Sequence, residues 1–176
     1  MAGVESKVAE AETTAKSATK TETTVERATH RGARADYRWD GVEERPYKED
    51  DRALFKSITR QVLFADSELQ GELRYFEVAP GGHTTLERHE HAHAVVVERG
   101  RGRCLVGERV YDVAEHDLVH VPPLTWHQFQ AGENEPLGFL CMVNATRDRP
   151  QLPTTKDLDN LRANPAVAAF IAQRTA

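Results

Sequence analysis

Apolar and polar residues alternate in short runs along most of this chain, and glycine, proline or acidic residues separate one run from the next. Side chains that alternate in this way lie on opposite faces of a β-strand, so each run predicts a short strand with one buried face. Short strands separated by such turns are typical of an all-β sandwich or barrel. The predicted strands are residues 53–64, 69–78, 103–106, 110–113, 117–121, 126–130 and 137–144, and Pro80-Gly81-Gly82 is expected to end the second.

The two ends of the chain depart from this pattern. Residues 1–35 are rich in Ala, Thr, Glu, Lys and Ser, so they cannot bury much apolar surface and are predicted to be a disordered tail. Residues 155–162 and 164–173 are predicted to be short helices, the second with Asn164 as its N-cap. The predicted organisation is a tail at 1–35, a β-barrel at 36–150 and a C-terminal helical extension at 151–176.

The composition favours one domain that acts on a small molecule. The chain of 176 residues is long enough for one substantial core. Its net charge of -5 gives no global basic surface that would favour nucleic acid or an anionic membrane as a partner. No apolar run approaches the ~20 residues of a membrane span and no secretory-type segment is visible, so we expect a cytoplasmic protein. Cys104 and Cys141 are expected to be buried, reduced thiols.

A cluster of metal-ligand residue types follows the second predicted strand. Neutral imidazole is the commonest ligand of transition metals in proteins, and glutamate adds an anionic oxygen. Four of the chain's eight histidines lie in this cluster. The cluster consists of His83, Glu87, His89, His91 and His93. A metal site is therefore the first hypothesis about function.

The same stretch resembles the first conserved motif of the cupin family, G-x5-H-x-H-x3/4-E-x6-G. In this chain the motif stands as Gly81-x5-Glu87-x-His89-x3-His93-x6-Gly100. The spacing fits from both ends, although Glu87 stands in place of the usual first histidine and His93 in place of the usual glutamate. The exchange keeps the residue types found in many metal-binding cupins but permutes their positions.

Residues 116–127 resemble the second cupin motif, G-x5-P-x-G-x2-H-x3-N. Pro122 and His127 occupy the positions of the family's proline and last ligand, whereas His116 and Leu124 replace its glycines. The resemblance covers residues 55–144 and implies a double-stranded β-helix, the cupin jelly-roll barrel. It also implies one divalent transition metal, and the ligand types suit Mn, Fe, Ni, Cu or Zn.

Strand geometry limits which side chains of the cluster can share one ion. Residues i and i+4 of a straight strand lie about 13 Å apart, so His89, His91 and His93 cannot bind one ion from a single strand. A turn at residues 90–92 would bring His93 back on the neighbouring strand. The predicted metal ligands are then Glu87, His89, His93 and His127.

Alternatives stay open at several of these positions. A competing register pairs His89 with His91 and puts Val95, which cannot coordinate, at the third ligand position. In the preferred register His91 lies in the turn, either behind a ligand or exposed, and His83 faces solvent. Glu87 is a ligand, a catalytic acid or base beside a three-histidine metal, or a solvated strand residue.

Inward-facing side chains near the ligands are predicted to line a mostly apolar substrate pocket. They are Val95, Val97, Cys104, His120, Phe129, Phe139 and Met142.

Resemblance to quercetinase-like and acetylacetone-dioxygenase-like cupins implies an oxidoreductase of dioxygenase type. It would act on a small enol, phenolic or diketone-like substrate with dioxygen, and Glu87 could serve as the base. The alternatives are a metal-dependent isomerase or lyase, and a barrel that binds a small ligand or metal without catalysis. Because exposed β-edges are commonly covered, we also expect a homodimer, with residues 36–64 contributing.

Overall fold

We describe the protein from a computed structural model, which covers residues 29–47 and 56–172. Within these ranges it contains eleven strands and two helices. The strands are β1 (Ala33–Arg34), β2 (Arg38–Trp39), β3 (Glu44–Pro46), β4 (Lys56–Asp66), β5 (Gly71–His83), β6 (His93–Arg99), β7 (Arg101–Val106), β8 (Arg109–Ala114), β9 (Leu118–Val121), β10 (His127–Ala131) and β11 (Leu137–Asn144). The helices are α1 (Thr155–Arg162) and α2 (Pro165–Ala172), so the predicted all-β fold with two short C-terminal helices is confirmed.

One antiparallel sheet contains nine of these strands, and β5 is its centre. The strand order is β8-β7-β10-β5-β11-β6-β9, with β4 on β5 and β3 on β4. One edge of β5 pairs with β4, whereas the other edge is divided: residues 71–78 pair with β11 and His83 pairs with β10. This division separates the sheet into two halves that curl around a common core.

Alternation along the strands sends the apolar side chains of both halves into that core. On β6, Val95 and Val97 are fully buried, and on β11 the inward positions are Phe139, Cys141 and Val143. The residues between them on β11 face away, and Met142 is 54% exposed. The core cluster is completed by Ile58, Phe76, Val78, Cys104, Val113, Phe129 and Leu137.

The C-terminal helices cover a second, smaller core. The Thr154 hydroxyl accepts a hydrogen bond from the Asp157 N–H, and the Asp157 side chain accepts one from the Thr154 N–H, which forms a capping box at the start of α1. α2 buries Val167, Phe170 and Ile171. They pack with Leu86, Leu105 and Leu161. The two helices therefore close the sheet from outside the main core.

Two details differ from the sequence-based expectations. β5 runs through Pro80-Gly81-Gly82 instead of ending there, because Lys56 on β4 pairs with His83 and Gly81 adopts the positive φ of 66° that glycine tolerates. Residues 33–34 form a strand with residues 38–39, whereas the predicted tail extended to residue 35. Residues 1–28 of that tail lie outside the described part of the chain.

None of the helices in the described ranges has both the length and the apolar character needed to span a membrane.

We expect Gly138→Ala to destabilise the protein, because the added methyl group would overlap the hydroxyl of Tyr75. Tyr75 is fully buried, and its hydroxyl donates a 2.8 Å hydrogen bond to Glu77. Overpacking of this kind costs about 1–3 kcal/mol of the free energy of unfolding, which urea titration would measure. In the matched control, Gly132→Ala, the methyl group meets only the Arg101 carbonyl oxygen at 3.6 Å. An equal effect of both substitutions would contradict this explanation.

Candidate metal centre

Three histidine side chains converge where β6 and β10 begin. His93 is the first residue of β6, His127 is the first residue of β10, and His89 lies in the segment between β5 and β6. One ligand nitrogen from each side chain lies within 4.8 Å of the others. Within the described residues, these three form the group of at least three histidine, cysteine or acidic side chains that could hold a metal ion.

Backbone hydrogen bonds fix the positions from which two of these side chains start. The Glu87 N–H donates to the His127 carbonyl oxygen at 3.2 Å, and the His127 N–H donates to the Glu87 carbonyl oxygen at 3.0 Å. The Leu124 N–H donates to the carbonyl oxygen of His89 at 2.7 Å. The segment that carries His89 is therefore joined to the start of β10 and to the loop before it.

The contacts of the ring nitrogens define the protonation of two of these imidazoles. Nδ1 of His89 lies 3.0 Å from the carbonyl oxygen of His91, and Nδ1 of His127 lies 2.9 Å from that of Thr125. A carbonyl oxygen only accepts, so both Nδ1 atoms carry the proton and both Nε2 atoms are acceptors. His93 Nε2 lies 2.8 Å from His89 Nε2, a separation suited to a shared proton or a shared cation. The donor set therefore fits a divalent transition metal.

Burial keeps two of these imidazoles, His89 and His93, neutral. Burial, assisted by the nearby His127, lowers the pKa of His89 to about 4 and that of His93 to about 2. Both rings are thus neutral near pH 7, which is the form that binds metals.

His91 lies behind this group and supports His89. The chain bends at residues 90–91, and the His91 ring stacks on the His89 ring with 3.8 Å between their centroids. Asp148 Oδ1 lies 2.7 Å from His91 Nδ1, and Asp148 Oδ2 accepts the Glu90 N–H at 2.9 Å. The hydrogen bond from the Glu90 N–H is the main cause that lowers the pKa of Asp148 to about 2, and the hydrogen bond with His91 is a smaller cause. His91 is outside the converging group and Val95 is a core residue, which favours the register with His89 and His93.

Glu87 lies in the same cavity but outside the converging group. Its side chain is buried, and the hydroxyl of Tyr47 donates to Glu87 Oε1 at 3.1 Å. Burial is the main cause that raises the pKa of Tyr47, and the negative charge of Glu87 is the second cause. The phenol therefore keeps its proton. The predictions that Glu87 is a metal ligand and a catalytic residue both remain predictions.

The cavity beside the three histidines is lined by apolar and polar side chains. Of the predicted pocket residues, Val95, Phe129 and Phe139 line it. Val97 and Cys104 instead lie in the core cluster, and burial raises the pKa of the Cys104 thiol to about 12.

Two predicted pocket residues and one predicted surface residue were placed incorrectly. Met142 and His120 are exposed, because each lies between inward-facing neighbours on its strand and therefore points outward. His83, expected to face solvent, is only 5% exposed, and its Nδ1 lies 3.4 Å from Nε2 of Gln128.

Sequence reasoning missed five polar residues of the cavity: Tyr47, Arg74, Thr84, Thr85 and Cys141. Arg74, Phe76 and Val78 are spaced two residues apart on β5, so their side chains lie on the same face of the strand. Alternation alone could therefore have placed Arg74 inward. Tyr47 is in a segment of irregular pattern and carries no such signal. Cys141 was predicted to be buried, and its Sγ lies 3.2 Å from Nδ1 of His93.

Known proteins resemble this chain over most of its length. Residues 74–143 match the family model described as Cupin domain. Over 135 residues, the chain is 62% identical to the Rhodospirillum rubrum protein named 1-methylthio-D-xylulose 5-phosphate methylsulfurylase, covering 77% of this chain and 86% of the relative.

Two crystal structures are also similar. One is a cupin 2 conserved barrel domain protein from Rhodopseudomonas palustris, with 56% identity and a TM-score of 0.77 over 81% of this chain and 98% of that one. The other is a cupin-2 domain protein from Rhodospirillum rubrum, with 57% identity and a TM-score of 0.75 over 84% of this chain and 99% of that one. These findings agree with the resemblance of the two sequence motifs.

We expect His89→Ala, His93→Ala and His127→Ala each to abolish retention of metal, because two imidazoles do not replace three converging ones. Metal content after dialysis, measured by inductively coupled plasma mass spectrometry, would test this. His120→Ala is the matched control, since His120 is exposed. Retention of metal by all three ligand variants would show that the ion is held elsewhere.

We expect Asp148→Ala to weaken metal affinity by about 10–100-fold, because the carboxylate fixes the ring of His91 and the bend that positions His89. Competition with a chromophoric chelator would measure the change. Asp112→Ala, at an exposed position on β8, should leave affinity unchanged. Identical affinities of the Asp148 variant and the native protein would exclude this supporting role.

Proposed function

This chain belongs to the cupin superfamily, and from that premise we propose that it is a metal-dependent enzyme that removes the methylthio group from 1-methylthio-D-xylulose 5-phosphate or a closely similar ketose phosphate. The observation that carries the proposal is the convergence of three imidazoles beside a cavity. The name of the 62% identical relative supplies the substrate class. Such a substrate differs from the enol, phenolic or diketone-like compounds implied by the family resemblance.

The proposal gives His89, His93 and His127 the role of holding the metal. A divalent cation bound there supplies a Lewis acid for a carbonyl oxygen, whichever of Mn, Fe, Ni, Cu or Zn it is. We assign Glu87 to proton transfer at the substrate, because its carboxylate is outside the converging group and is held by Tyr47. Phe129, Phe139 and Val95 offer an apolar wall for the methylthio group.

The position of the sulfur in the substrate explains why a carbonyl-binding site suits this reaction. The methylthio group is on C1, next to the C2 ketone. A thiol attacks this sulfur, a new S–S bond forms, and the C1–S bond breaks with its electron pair moving toward C1 and the carbonyl. C1 then takes up a proton and becomes a methyl group. The carbon is reduced and the thiol is oxidised to a methyl disulfide, so the reaction requires a thiol as co-substrate.

We expect the purified protein to convert 1-methylthio-D-xylulose 5-phosphate and a monothiol such as cysteine into equal amounts of methyl ketone and mixed methyl disulfide, observable by NMR. Chelation should stop the reaction, and Glu87→Gln should slow it by about 100-fold or more while metal is retained. Glu90→Gln, at an exposed position in the neighbouring bend, is the control. Unchanged substrate after incubation with metal-replete protein would refute the proposed function.

A dioxygenase reaction is the second candidate. Three converging histidines with a carboxylate nearby suit a metal with positions open to dioxygen, and the aromatic side chains of the cavity suit an enol, phenol or diketone. An oxygen electrode distinguishes the two candidates, since removal of the methylthio group consumes no dioxygen.

The predicted homodimer stays a prediction. Val62 and Phe64, within the residues expected to contribute to the contact, are 38% and 46% exposed. Apolar side chains at these positions support pairing of two chains, and light scattering would measure the mass of the particle in solution.

A further inference from the structure

Arg74 places a full positive charge inside the cavity of the metal centre. Its side chain points inward from β5, with only 7% of the residue exposed. The guanidinium lies over the ring of Phe76, 5.1 Å from the centroid, and Nη2 lies 3.6 Å from Cys141 Sγ. A thiol and an aromatic ring are weak partners for a guanidinium.

The charge of Arg74 has no carboxylate partner within the described ranges. Arg74 forms none of the ion pairs found there, and its buried Nε has no hydrogen-bond acceptor. Glu87 is the carboxylate among the described residues of the cavity wall, and Tyr47 donates to it. A buried charge without a partner is costly, so its presence beside a candidate active site indicates a ligand that supplies the missing charge.

A second arginine adds to the positive potential. Arg60 on β4 is half-buried, and its pKa is lowered first by burial and then by the charge of Arg74. The two arginines lie on neighbouring strands, with Arg60 paired to Phe76 and Arg74 paired to Val62, so their like charges repel. An anion bound at Arg74 would relieve that repulsion.

We propose that Arg74 binds the phosphate group of the substrate and thereby makes the cavity selective for phosphorylated compounds. The planar guanidinium presents parallel N–H donors that match two oxygens of a phosphate. This inference rests on the proposed function, because the phosphate belongs to the substrate class named there.

The relation of Arg74 to the histidines suits a short substrate with two oxygen-rich ends. Cys141 Sγ contacts both Arg74 Nη2 and His93 Nδ1, at 3.6 Å and 3.2 Å. One sulfur atom thus separates the phosphate-binding group from an imidazole of the metal centre. In the proposed arrangement the carbonyl of the ketose phosphate faces the histidines and its phosphate faces Arg74.

Binding of D-xylulose 5-phosphate and of uncharged D-xylulose, measured by calorimetry on the protein as purified, tests the proposal without any need for turnover. The native protein should bind the phosphorylated sugar at least about tenfold more tightly. Arg74→Met should remove this preference, and Arg74→Lys should retain part of it. Arg109→Gln, which removes an exposed arginine of β8, should leave the preference intact.

Thermal unfolding of the ligand-free protein supplies a readout that a structural arginine would not give. Arg74→Met should raise the Tm, because an apolar side chain replaces an unpaired buried charge. A lower Tm of Arg74→Met together with an unchanged preference for the phosphorylated sugar would overturn the proposal. An equal loss of affinity for both sugars would also overturn it, because Arg74 would then contact the carbonyl end that the two sugars share. If Arg74 governs the preference but the methylthio compound is not converted, the phosphate site stands and the proposed function falls.

Discussion

The divided edge of β5 is the constraint on which the rest of this structure depends. Because β11 takes one part of the edge and β10 takes the other, the two halves of the sheet curl around the same core. Arg74 on β5, Cys141 on β11 and His127 on β10 then face one cavity, although they are distant in sequence. The chemistry of the cavity follows from where β5 changes partners.

Removal from water acts on several titratable groups at the metal centre and its cavity, with different results. It holds His89 and His93 neutral, so that they offer lone pairs, and it raises the pKa of Tyr47 and Cys141, so that both keep their protons. Arg74 brings a guanidinium into the same cavity, beside Cys141. Burial therefore separates the groups that can bind a metal from the group that can bind an anion.

The sequence predicted much of the fold because alternation with a period of two is a strong signal. It placed β11 at residues 137–144, where the structure has it. The same rule could have corrected Met142, which lies one residue from Cys141 and so faces the opposite side. The passage of β5 through Pro80-Gly81-Gly82 was not predictable locally, because it depends on pairing with Lys56 on another strand.

At the metal centre, strand spacing and the two cupin-like motifs predicted Glu87, His89, His93 and His127 as ligands, and the structure brings the three histidines together. Asp148 and Tyr47 could not be found in this way, because they are distant in sequence from the residues that they contact. Asp148 lies 57 residues from His91, and Tyr47 lies 40 residues from Glu87. Long-range partners of this kind leave no periodic trace in a sequence.

The positions of the three histidines also bear on how the barrel holds together. β6 and β10 are not neighbours in the sheet, since β11 and β5 lie between them. A cation shared by His93 and His127 would therefore act as a cross-link across the barrel and close the chain between them into a loop. Such a link restricts the unfolded chain as well as the folded one, so loading with metal becomes part of the folding equilibrium itself.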